Sequence, residues 1–292
     1  MTAKGGTRAM KTLILLMQCP DRPGIVARIT DLVMRSGGNI TSLDQHTTDP
    51  VGGVFFMRIV FTLDPARTAP EAFEDAWRPH AEELTANYEI YDQAAPLRMG
   101  ILVSKQTHCL ADLLYRYSAR GLNGHIALVV SNHPDAQSIA ASYGIAFEHV
   151  PVARETKIEA ERRMLELLRE STDLLVLARY MQVLTDGFLS AYGKPVINIH
   201  HSFLPAFKGA SPYRQAYERG VKVIGATAHY VTAELDEGPI IEQLTTPTYY
   251  KDTPDTLRQK GANLETMTLA NAVQAHLQHR IILYQHRTVV FP

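Results

Sequence analysis

At 292 residues, with 46% hydrophobic and 20% charged side chains, the chain can bury an ordinary globular core and has a length natural for two domains. A formal net charge of −1 and a pI near 6.9 argue against nucleic acid or an anionic membrane as the main partner. Cys19 and Cys109 are too few for a disulfide framework and no apolar run approaches a membrane span, so a cytoplasmic location is expected.

Residues 1–10 are polar and glycine-containing, which predicts a flexible lead-in rather than a signal peptide. Residues 12–18 form an apolar run suited to a strand. Pro23-Gly24 then sits where a helix should start, and Ile25, Ile29, Leu32 and Val33 follow helical spacing until Gly37-Gly38. A strand over 39–47, a turn over 49–53 and a half-buried strand over 54–63 come next, followed by a helix near 69–85 and a strand near 89–92. The order β-α-β-β-α-β predicts a ferredoxin-like domain over 11–93, with 94–97 as a linker.

From residue 98 to 292 the pattern becomes strand–helix alternation. Strands are predicted at 98–104, 125–131, 146–150, 173–177, 196–200 and 223–230, with helices at 107–119, 134–143, 156–171 and 209–219. Short continuous β-branched strands between amphipathic helices imply a mostly parallel, Rossmann-like sheet covered on both faces, making the whole an α/β protein. A long helix over 253–280 and a closing strand near 288–291 end the chain. The first strand–helix junction, Ser104-Lys105-Gln106-Thr107-His108-Cys109, has no glycine; neither a dinucleotide fingerprint nor a P-loop is present, which disfavours nucleotide chemistry.

The reactive residues gather between 196 and 243. Residues two apart on a strand share a face, so Asn198, His200 and Ser202 should project together, away from Ile199 and His201. Three readings compete. Metal binding by His200, His201, His229 and Asp236 lacks a supporting spacing motif, and no metal is expected. Hydrogen-bonded core histidines are the reading for His201 and His125. For Asn198, His200 and Asp236 the third reading is acid–base and oxyanion chemistry at a carbonyl: an asparagine N–H₂ donates to a developing oxyanion, and a carboxylate orients a histidine. Asp236 before Glu237-Gly238-Pro239 is also an ordinary turn residue, and Cys109 reads as structural.

Asp21-Arg22-Pro23-Gly24-Ile25-Val26 resembles the start of ACT domains. That resemblance implies side-by-side pairing, hence a homo-oligomer (dimer or tetramer), and a small amino-acid effector at Asp21, Arg22, Pro23, Gly24 and Ile25. Asn198-Ile-His-His-Ser-Phe-Leu-Pro-Ala-Phe-Lys-Gly209, then His229, then Leu235-Asp-Glu-Gly-Pro-Ile-Ile241, resembles the folate-dependent formyltransferase family. It implies Asn198, His200 and Asp236 as the catalytic trio, a folate site including Met181, Gln182, Val183, Leu184, Phe207, Gly209, His229 and Gly238, and no cofactor besides the folate substrate. In relatives acting on a phosphorylated amine the first strand–helix loop is a glycine-rich phosphate cradle, which 104–110 lacks. With the ACT segment in front, the chain is similar to the water-using deformylase branch. Its expected reaction is hydrolysis of 10-formyltetrahydrofolate to tetrahydrofolate and formate, supplying formate for purine synthesis and balancing folate pools. The alternatives are formyl transfer to an amine and a non-catalytic folate or amino-acid sensor.

Overall fold

The structure, a computed structural model, describes residues 10–49, 51–205 and 212–292. Cα packing divides the chain into two units, 1–95 with 278–284 and 289–292, and 96–277 with 285–288.

The first unit holds β1 (Lys11–Pro20), α1 (Ile25–Arg35), β2 (Asn39–Thr47), β3 (Val54–Leu63), α2 (Pro70–Leu84) and β4 (Asn87–Asp92). The sheet order is β2-β3-β1-β4, with β1 antiparallel to both β3 and β4. Leu13, Leu15 and Met17 on β1, with Met57, Ile59 and Phe61 on β3, share one face and bury against Ile29, Val33, Phe73 and Trp77 of the helices. β3 departs from the half-buried expectation, since residues of both its faces are buried. The cause lies at the other end of the chain. The hairpin of β12 (Ile281–Tyr284) and β13 (Arg287–Val290) brings Ile282, together with Phe291 just beyond it, onto Leu16 and Phe56. Residues 278–284 and 289–292 therefore group with the first unit and 285–288 with the second, which departs from the expectation that 98–292 forms one domain.

Arg58 fastens this tail by donating to the carbonyls of His279 (2.9 Å) and Gln278 (3.1 Å), and the His279 ring stacks on Tyr91 at 3.6 Å. Burial, and then the Arg58 cation, push His279 down to about 4. His279 therefore stays neutral in the folded chain while the unfolded chain protonates it near pH 6.5. Between those values the unfolded state holds more protons, so stability falls as pH drops from about 6.5 towards 4. His279 has φ 50°, a left-handed conformation that asparagine tolerates. His279→Asn should lose less thermal stability than wild type between pH 7 and pH 5; equal losses in melting scans would assign the pH dependence to other groups.

The second unit contains a seven-stranded sheet in the order β11-β10-β9-β8-β5-β6-β7. Its strands are β5 (Leu97–Val103), β6 (Gly124–Ser131), β7 (Phe147–His149), β8 (Leu174–Leu177), β9 (Val196–His200), β10 (Val223–Tyr230) and β11 (Ile240–Pro247). In sheet order the strands from β7 to β9 are parallel, whereas β10 runs antiparallel to both β9 and β11. The helices are α3 (His108–Ser118), α4 (Gln137–Ser142), α5 (Lys157–Leu168), α6 (Asp186–Tyr192), α7 (Pro212–Glu218) and α8 (Pro254–Leu277). Sequence reading overlooked β11, β12 and α6 and ran the last helix too far. Among the described residues no helix is long and apolar enough to cross a membrane.

The path of the chain positions the site. It runs from β5 outward through β6 to β7, then returns to β8 beside β5 and continues the other way to β9. The order thus reverses between β5 and β8, and open α/β sheets bind ligands beyond the strand ends at such a switch.

Candidate active site

Asn198 and His229 lie directly opposite each other in the β9–β10 pairing, so their side chains share a face. Asn198 Nδ2 lies 3.2 Å from His229 Nε2, and His229 Nδ1 lies 2.9 Å from the Tyr230 carbonyl. A carbonyl only accepts, so Nδ1 of His229 carries a proton and Nε2 accepts from Asn198. The second Asn198 N–H remains for another acceptor.

Asp236 reaches this pair from the turn between β10 and β11. Its Oδ2 lies 3.2 Å from His200 Nδ1, and its Oδ1 lies 3.7 Å from His229 Nε2. The His200 contact, the largest cause, holds the Asp236 carboxyl well below the usual carboxylate range, against the opposing effect of burial. With Nδ1–H donating to Asp236, the working atom of His200 is Nε2. That atom is buried and has no hydrogen-bond partner among the described residues. Oriented imidazole, carboxylate and amide thus meet at one sheet end, an arrangement suited to proton transfer and oxyanion binding at a carbonyl.

The turn that delivers Asp236 has no slack. Asp236 itself has φ 58°, and a Cβ added to Gly238 would meet the Tyr230 carbonyl oxygen at 1.7 Å. Gly238 thus serves as the close-approach residue between the turn and β10. Gly238→Ala should lower the melting temperature by several degrees, at a cost of roughly 1–3 kcal/mol, and reduce turnover with it. An unchanged melting temperature would mean that the turn moves freely.

His201 lies outside the strand alternation. β9 ends at His200, and the His201 ring stacks on that of His200 with centroids 5.2 Å apart instead of facing the opposite side. Burial first, then Arg179, push His201 down to about 4. His125, expected in the core, is exposed and bonded to Tyr117 at 2.9 Å. Cys109 is buried, and burial pushes its thiol up, away from reactivity.

Met181 and Val183 expose apolar side chains on the loop after β8, Gln182 is half-buried, and Leu184 turns into the core, leaving only its backbone to a ligand. Phe207 and Gly209 lie outside the described residues. In the first unit, Asp21 accepts from Thr47 (2.9 Å), Arg22 donates to the Glu83 carbonyl (2.7 Å), Pro23 and Gly24 are exposed, and Ile25 is core.

Sequence reading missed a buried polar network next to this site. Arg179, at φ 64° just after β8, donates to Gln106 Oε1 from Nε (2.9 Å) and Nη2 (2.7 Å), and its Nε lies 3.4 Å from Glu265 Oε2. Glu265 also accepts from Tyr213 (2.6 Å) and meets His108 Nε2 at 2.8 Å. His108, Cys109 and Glu265 bring potential metal-ligand atoms within 4.8 Å of one another. The Glu265 oxygens are already engaged by Arg179, Tyr213 and His108, so the cluster reads as an ion-pair network.

Two family models cover the two units: the ACT domain matches residues 13–74 and formyl transferase matches 97–273. A formyltetrahydrofolate deformylase from Synechocystis sp. is 49% identical over 281 residues, covering 96% of this chain and 98% of that protein. The chain belongs to the formyltetrahydrofolate deformylase family. A relative with the same name from Bacillus subtilis is 43% identical, over 95% of this chain and 93% of its own length. The crystal structure of a formyltetrahydrofolate deformylase from Pseudomonas syringae matches with a TM-score of 0.90 at 42% identity, covering 98% of this chain and 96% of that one. Glycinamide ribonucleotide transformylase 1 from Symbiobacterium toebii, at 31% identity and TM-score 0.64, covers 97% of its own chain but 69% of this one.

Proposed function

We propose that this protein hydrolyses 10-formyltetrahydrofolate to tetrahydrofolate and formate. The near full-length likeness to deformylases supports water as acceptor. The observation that carries the chemistry is His200, anchored to Asp236 through Nδ1 with Nε2 buried and unpartnered beside Asn198.

In this reading water attacks the formyl carbon, and Asp236 orients it and His200. His200 Nε2 takes a proton from the attacking water, and the second Asn198 N–H, joined by the Nε2–H so formed, donates to the tetrahedral oxyanion. The carbon–N10 bond breaks, N10 takes a proton by way of His200 or water, and formate leaves. The folate is consumed as substrate, its pterin lying against Met181–Val183; no resident cofactor takes part. Both cysteines are free thiols, in keeping with work in the cytoplasm. The ACT unit pairs subunits into a homo-oligomer and takes a small amino acid at the turn before α1, where helix N–H groups suit a carboxylate.

The test is formate release by purified protein with no amine added, repeated with small amino acids present. Steady release supports hydrolysis, and silence until an amine is supplied would make the protein a transferase. A rate that responds to one amino acid supports the effector site; no response to any leaves the ACT unit a subunit-pairing module.

A further inference from the structure

The switch point between β5 and β8 is where an open α/β sheet binds ligands, and in this chain Arg179 and its partners stand there. Leu177 on β8 pairs with Asn198 on β9, and the Ser104 N–H donates to the Arg179 carbonyl (3.2 Å), so Ser104, Arg179 and His200 stand at one level beyond the sheet. Arg179 is 8% exposed and spans this gap from β8 to Gln106 on the β5–α3 loop. Glu265, 2% exposed, backs it from α8. Tyr213 completes the wall: a Cβ on Gly261 would meet its ring at 2.0 Å, so the helix lacks a side chain where tyrosine lies against it. The wall abuts the catalytic side chains through His201, stacked on His200 and 6.3 Å by ring centroid from Tyr213.

Two features of Arg179 argue against a purely stabilising role. A buried ion pair is weak support for stability, because desolvation offsets its attraction. A non-glycine residue at φ 64° also carries strain, of a kind that collects at functional sites. We propose that Arg179, clamped by Gln106 and Glu265, is a specificity-determining residue: it occupies the acceptor side of the crevice beside His200, so that water, but no carbon-bearing amine, reaches the formyl carbon. Specificity here is an obstruction of the wrong acceptor rather than an attraction for the right one. The inference rests on the hydrolysis reading.

In the reaction that the wall excludes, an amine nitrogen bonds to the formyl carbon and loses a proton, the carbon–N10 bond breaks, and N10 gains a proton. The test supplies glycinamide to wild type, Arg179→Gly and Arg179→Gly/Glu265→Gln, and measures N-formylglycinamide against formate by mass spectrometry. Glycine suits the left-handed backbone, and glutamine avoids a buried unpaired charge. The formylglycinamide share should rise by about tenfold or more in the variants, the scale on which pocket sterics discriminate. An unchanged share in a folded variant that still releases formate overturns the inference alone. If neither variant folds, wild type decides, with uncatalysed background subtracted: hydroxylamine should capture formyl groups far better than glycinamide, and equal capture overturns the inference. Wild type that releases no formate without amine overturns the hydrolysis reading first, and this inference with it.

Discussion

Asn198→Ala and His200→Ala are each expected to lower kcat by about two to three decades, or roughly 3–4 kcal/mol, with folate binding largely kept. Asn198 is held by His229 through one of its two N–H bonds, and His200 by Asp236 through Nδ1, so neither side chain must reorganise when charge develops on the formyl oxygen. Preorganised donors act on the transition state more than on the bound substrate, which places the loss in kcat rather than KM. Alanine at 198 also removes a partner of His229 Nε2, so part of the loss passes through that ring. The check pairs formate release with calorimetric binding of a non-hydrolysable folate analogue. If binding weakens as much as turnover slows, both residues merely position the substrate and the oxyanion role is wrong.

How much of this was legible beforehand depends on how local the cause is. β9 and β10 run over the residues expected, because continuous apolar runs bounded by turn residues specify buried strands without outside help. Asn198 and His200 stood out because polar groups interrupt such a run and Asp236 because it sits in the turn after the next one, and the structure brings these three together. The features that escaped depend on distant partners. β3 is buried on both faces because of a hairpin more than 200 residues later, which no local period announces. Strand alternation places His201 opposite His200, a rule that lapses where the strand ends. Arg179 carries no local signal of Gln106 and Glu265, its distant partners, and its left-handed backbone leaves no mark in the sequence. α6 was overlooked as seven residues with Gly187 in the first turn, although Thr185 caps it by accepting from the Phe188 N–H at 3.1 Å. A threonine three residues before an aromatic was the available signal.

Asp236→Asn should cost about two to four decades in kcat, the usual range for displacing an acid–base group, while the turn keeps its shape. Asparagine tolerates φ 58° and keeps the side-chain size, so the change removes charge and little else. Without the carboxylate, nothing fixes Nδ1 of His200 as the protonated nitrogen, and the ring loses its preferred tautomer and orientation. The pH dependence separates this role from a packing one. Asp236 stays ionised to well below the ordinary carboxylate range, so no acid limb of the wild-type rate between pH 5 and 8 belongs to its protonation. Its contribution to stability is fully present above the unfolded carboxyl value near 4. It is lost as pH falls from there through the depressed folded value, because the unfolded state binds the proton first. The variant should therefore be slow at every pH from 5 to 8 and lose less stability than wild type below about pH 4. A variant whose rate recovers at high pH, or whose acid unfolding matches wild type, would show that Asp236 is not the carboxylate that sets His200.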